Sequence, residues 1–185
     1  MTALLRTTIL GLCVLAAQPV AAGATGEATE EILFRFCSGS ILRMQAVESE
    51  VNTFTLALRR DADWQEYGRA IFDENRRLVR QEVPGRGALQ FEPHNCEKMP
   101  GICRYTEIGL DGTRQDKMRI NGREGDEWNY SLMDLADGRQ ELTRVGTVTY
   151  GDDGFAVKEQ WTSLTNTDSQ CWERLAPEEL EGDTG

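Results

Sequence analysis

Asp-Gly and Asn-Gly turn sequences punctuate the C-terminal half of this chain, and they constrain its fold more than any other feature. They are Leu110-Asp111-Gly112, Asn121-Gly122, Ala136-Asp137-Gly138 and Gly151-Asp152-Asp153-Gly154, joined by the polar stretch Thr165-Asn166-Thr167-Asp168. Between them lie strand-like runs at 103–108, 114–120, 128–135, 141–150, 155–164 and 170–175. Asn-Gly and Asp-Gly tolerate the positive φ that a tight hairpin demands, so each pair joins two antiparallel strands. Chained hairpins predict a curved meander of about six strands.

The N-terminal part reads differently. Leu33, Cys37, Ile41, Met44, Val47, Val51, Phe54 and Leu58 recur every three or four residues. That spacing predicts one face of a helix starting near Thr29, with Glu30 and Glu31 suited to a helix N-terminus. Ser38-Gly39-Ser40 interrupts the pattern, and residues 53–58 alternate as a strand does. Residues 61–83 carry two readings. The preferred one is a helix capped by Asp61, with Trp64, Tyr67, Ile71 and Leu78 inward. The other is a hairpin of 67–72 and 78–83 turning at Asp73-Glu74-Asn75. The expected fold class is therefore α+β: N-terminal helical segments packed on the antiparallel meander, with residues 29–176 forming a single domain.

The flanks have other roles. Residues 1–22 combine Arg6, an apolar run and the small residues of Val20-Ala21-Ala22. This is the pattern of a secretory signal cleaved after Ala22, and its apolar run is too short to span a bilayer. Residues 23–28 read as a flexible leader and 177–185 as a disordered acidic tail. The expected address is the periplasm or the extracellular space.

Export changes the meaning of the cysteines. Of five, Cys13 leaves with the signal, and Cys37, Cys96, Cys103 and Cys171 remain. An even number in an oxidising compartment predicts two disulfides. Of the three connectivities, Cys96–Cys103 with Cys37–Cys171 is favoured. The first closes a short loop through Pro100-Gly101, and the second ties the start of the domain to its last strand.

Charge excludes one class of partner. The chain has 31 acidic and 20 basic side chains, a net charge of −11. Nucleic acid and anionic membranes both require a basic footprint, so neither is an expected partner.

Candidate chemistry is sparse. His94 is the only histidine, and no Gly-x-Ser-x-Gly elbow accompanies it. His94, Cys96, Met99 and Cys103 lie close together, and soft donors of this kind suit Cu(I). A disulfide between the two cysteines removes the thiolates, so metal handling through His94 and Met99 ranks below a structural loop. Two carboxylates stand out, because period-two geometry places Glu107 beside Cys103 and Tyr105, and Glu159 beside Phe155, Val157 and Trp161. A carboxylate on an apolar face must be paired, hydrogen-bonded or neutralised. Together with Trp128, Tyr130 and Trp161 they form the candidate ligand pocket. No cofactor motif is present. The expected function is an exported, non-enzymatic binding or interaction module, holding a small apolar or amphipathic ligand on a concave sheet or meeting another exported protein. The alternatives are copper handling and a carboxylate-dependent hydrolase using Glu107 and Glu159.

Overall fold

A computed structural model describes residues 31–60, 63–166, 168–176 and 179. The expected signal peptide, leader and acidic tail, Glu179 apart, lie outside the described residues, as does the proposed cap Asp61. The first six strands are β1 (Glu31–Phe36), β2 (Ile41–Ala46), β3 (Thr53–Arg60), β4 (Asp63–Phe72), β5 (Leu78–Val83) and β6 (Gly87–Glu92). The second six are β7 (Gly101–Ile108), β8 (Arg114–Glu124), β9 (Glu127–Ala136), β10 (Arg139–Tyr150), β11 (Ala156–Ser163) and β12 (Ser169–Leu175). Each pairs antiparallel with its neighbours in sequence, and β1 pairs with β12, so the sheet closes into a barrel of twelve strands.

This overturns the α+β expectation. The N-terminal helices are absent from the described residues, and β1–β5 stand in their place. The six-strand meander is half of the barrel rather than a sheet awaiting a helical cover. The spacing over 33–58 misled because it sampled both faces of successive strands. Ile32, Phe34 and Phe36 alternate inward, and Leu33 points outward with Ile41 and Leu175 into a small external cluster beside Trp64. Between β1 and β2 the chain reverses at Gly39, whose φ is +86°. Residues 63–83 follow the hairpin reading instead of the helix. The Asp73 carboxylate accepts the backbone N–H groups of Asn75 and Arg77 and organises the turn there. Asn121-Gly122 is not a turn either: it lies within β8, and the chain reverses after Glu124. Its side chain is held inside, where Nδ2 of Asn121 donates to the carbonyls of Cys96 and Met99.

Cross-strand partners share a face of the sheet, so the pairing register separates inside from outside. Inside, Phe54, Phe72 and Phe155 meet edge to face at centroid distances of 5.6–6.2 Å. They join Phe34, Leu42, Met44, Leu56 and Leu78 in one core. Each such side chain stabilises the fold by about 1.5–3 kcal/mol relative to exposure. Outside, ion pairs such as Arg69–Glu50, Arg80–Glu82 and Arg114–Glu92 decorate the wall. This is the inverse of a barrel whose outer face meets lipid.

Both expected disulfides form, Cys37–Cys171 with a Cα separation of 5.4 Å and Cys96–Cys103 with 5.8 Å. Cys37–Cys171 fastens the β1–β12 closure, where the Cys37 N–H also donates to the Cys171 carbonyl.

Strand direction alternates, so the turns gather at two ends. The lower end carries loop 93–100, which closes it. His94, Asn95, Cys96 and Glu97 in that loop are all buried. The ammonium of Lys98 donates to the carbonyls of Asn75, Arg76 and Gly154, stitching the loop to two neighbouring turns. The upper end carries the turn 37–40 and has no such plug among the described residues.

Candidate functional site

The upper mouth holds a cavity of about 330 Å³ lined by Phe36, Leu42, Leu58, Tyr67 and Gln170 together with the turn residues at its rim. The register explains its walls. Leu42 lies opposite Leu58, and Phe36 opposite Trp172, so these side chains converge inside the barrel. Tyr67 arrives through a bulge: Gly68 pairs with Leu56 and Glu66 with Ala57, leaving Tyr67 as the extra residue. Gly68 makes that bulge possible, because its φ is +153° and a Cβ would run into the carbonyl oxygen of Glu82. The rim consists of Ser38, Ser40, Ser169 and the Cys37–Cys171 bridge. Burial raises the pKa of the Tyr67 phenol, and the field of Arg86 lowers it to a lesser extent. Its hydroxyl therefore stays protonated and can both donate and accept.

Deeper in the barrel lies a polar cluster. Tyr130 donates its hydroxyl hydrogen to Oε1 of Glu159 at 2.7 Å, and the Trp172 indole N–H donates to Oε2 at 3.0 Å. The Arg119 guanidinium stacks over the Tyr130 ring, 4.2 Å from its centroid, and reaches Glu97 of the plug loop at 3.8 Å. Two buried carboxylates thus face one buried guanidinium. Burial pushes the Glu159 carboxyl up to about 7, with Glu97 adding to the rise while Tyr130, Arg119 and Trp172 oppose it. Near neutral pH this group is poised between its acid and its carboxylate.

The residues singled out from the sequence fall in several places. Tyr130 and Glu159 come into direct contact. Trp161 is the next inward side chain, since Gly146 lies opposite both Tyr130 and Trp161; the Arg144 guanidinium sits 4.0 Å from its ring centroid. Trp128 packs instead on Tyr150, at 6.3 Å between centroids. Glu107 pairs with Lys117, at 3.9 Å, and Lys117 with Asp134 at 2.6 Å. None of these five residues lines the mouth cavity, and no described cavity is shared by Glu107 and Glu159.

The loop singled out for metal handling serves as the plug. His94 Nδ1 accepts the Cys96 N–H at 3.0 Å, and burial lowers the imidazole pKa, assisted by Arg77. Met99 Sδ lies 3.7 Å from Cys103 Sγ, whose sulfur is already bonded to Cys96. Among the described residues no three His, Cys, Asp or Glu side chains are arranged to hold a metal ion.

Phe36, Leu42, Leu58, Tyr67 and Gln170 were not anticipated from the sequence as site residues. One signal pointed toward them: a Cys37–Cys171 bridge brings the first strand beside the last, which is the closure that creates the mouth. Comparison with models of known protein families, with curated proteins and with solved structures gives no match for this chain.

Proposed function

We propose that the chain is a non-enzymatic binding module which holds a small apolar or amphipathic molecule in the mouth of its barrel. The observation that carries this reading is the cavity between Phe36, Leu42, Leu58 and Tyr67, at the end opposite the plug. Its volume of about 330 Å³ falls at the small end of ligand sites, and apolar walls with a few polar groups are the usual composition of such sites. The wall is stiff: strands paired around a full circle, with a disulfide at the rim, lose little freedom on binding. The signal-like segment 1–22 and the two disulfides fit work in an oxidising, exported compartment, where the module would deliver or sequester its ligand. Copper handling has less support, because both cysteines near His94 and Met99 are bonded to each other.

Titration with the neutral fluorophore N-phenyl-1-naphthylamine tests the proposal. The protein is expected to enhance its emission saturably, and Leu58→Trp, which fills the cavity, to weaken binding by about tenfold or more. Absence of saturable binding, or equal binding by a folded Leu58→Trp variant, overturns it.

A further inference from the structure

We propose that the mouth cavity selects an uncharged amphiphile, taking its chain between Phe36, Leu42 and Leu58 and its hydroxyl or amide head at the serine rim. This rests on the binding reading above and specifies the ligand class. The argument comes from the lining. Its members are hydrocarbon side chains, the Cys37–Cys171 bridge, the hydroxyls of Ser38, Ser40, Ser169 and Tyr67, and the Gln170 amide. No charged side chain is among the described lining residues, in a chain that is 28 % charged.

A carboxylate entering this cavity would shed water and find no cation to pair with; an ammonium would find no carboxylate. Either ion pays a desolvation cost that hydroxyls and an amide only partly offset. Arg86 acts on Tyr67 through its field but does not line the cavity. The net charge of −11 further disfavours anions at a distance. A hydroxyl or amide head suits the rim without these costs. It donates and accepts in one group, as do serine, tyrosine and glutamine side chains.

The depth order gives the orientation. Leu42 and Leu58 lie within strands, whereas Ser38 and Ser40 flank the Gly39 turn and Ser169 opens β12. The apolar chain therefore enters first and the head remains at the rim.

Three ligands of equal chain length separate the possibilities: 1-decanol, decanoate and decylammonium, each displacing bound N-phenyl-1-naphthylamine at pH 8. Decanol is expected to compete at about tenfold lower concentration than either ion. Ser40→Arg, at an exposed rim position, is expected to improve decanoate by about tenfold, by supplying the cation that the rim lacks. If decanoate or decylammonium competes as well as decanol in the native protein, the selectivity is overturned while the binding module stands. An unchanged decanoate affinity in Ser40→Arg overturns the placement of the head. If the fluorophore shows no saturable binding, the binding module itself falls and the selectivity falls with it.

Discussion

The Tyr130 hydroxyl and the Glu159 carboxylate meet at 2.7 Å inside a closed barrel, and the contact depends on a residue that has no side chain. Gly146 faces inward between Tyr130 and Trp161. A Cβ at Gly146 would lie 2.7 Å from both Cζ and Oη of Tyr130 and 2.6 Å from the Gln160 carbonyl oxygen. The glycine therefore makes room for the phenol to reach its partner.

Gly146→Ala is expected to destabilise the fold by about 2 kcal/mol or more, because neither the ring nor the backbone carbonyl can retreat without disturbing the packing around it. Urea unfolding measures this directly. A midpoint matching that of the native protein would show that Tyr130 can move freely and that its contact with Glu159 is incidental.

The titration of Glu159 gives a pH dependence with a definite sign. Its folded pKa of about 7 lies above the ordinary value of 4.5, so the folded state holds the proton more tightly than the unfolded chain. The associated stability is fully present below about pH 4.5 and is lost as pH rises through about 7. The loss amounts to roughly 3 kcal/mol at 1.36 kcal/mol per unit. Glu159→Gln keeps the shape and removes the titration; its carbonyl can accept from Trp172 while its amide donates to the Tyr130 oxygen. Comparing unfolding midpoints from pH 5 to 9, the difference between the two proteins should move in favour of the Gln variant as pH rises. Parallel profiles would place the titrating proton elsewhere.

Inheritance of the fold from the sequence was uneven, and the reason is physical. Strands β7–β12 were legible because turn residues with positive φ, such as Asp137 and Gly138, separate alternating runs. Strands β1–β3 were not, because Ile32, Leu33 and Phe34 are all buried, the first and third in the core and the second in the external cluster. An apolar residue on each face erases the alternation that marks a strand and leaves a spacing that imitates a helix. The same logic applies to the site. Period two placed Glu159 on an apolar face, but its partners are Tyr130 from β9, two strands away, and Trp172 from the neighbouring β12, met through registers no local pattern encodes. The mouth cavity needed barrel closure, which depends on a pairing between the first and last strands.

Gln81 is an interior polar group of a different kind. It is 1 % exposed, and neither its side-chain oxygen nor its nitrogen has a hydrogen-bond partner among the protein groups described. It lies opposite Ala70 and Leu89, both buried. An unsatisfied buried amide costs about 1–3 kcal/mol. Gln81→Met, of similar length, is expected to raise stability by about 1 kcal/mol, read as a higher denaturation midpoint with an unchanged denaturant slope. A destabilised variant would mean that the amide is satisfied in solution and that its polarity supports the fold.

Lys98 tests whether the lower end is closed by its loop or merely covered by it. The ammonium donates to three backbone carbonyls, those of Asn75, Arg76 and Gly154, and lies 5.3 Å from the Tyr150 ring centroid. Burial lowers its pKa, but the carbonyl dipoles and the surrounding carboxylates keep a cation there worthwhile. Lys98→Met retains much of the packing and leaves those carbonyls without their charged donor, a loss of about 2–3 kcal/mol. The effect should be local in its first expression. Amide hydrogen exchange at loop 93–100 and at the turns 73–77 and 151–155 is expected to accelerate by about tenfold or more, while β1 and β12, fastened by Cys37–Cys171, keep their protection. Uniform acceleration across all strands would instead make the loop part of the cooperative core, and unchanged exchange would mean that Cys96–Cys103 and the Asn121 contacts suffice to hold the plug without the lysine.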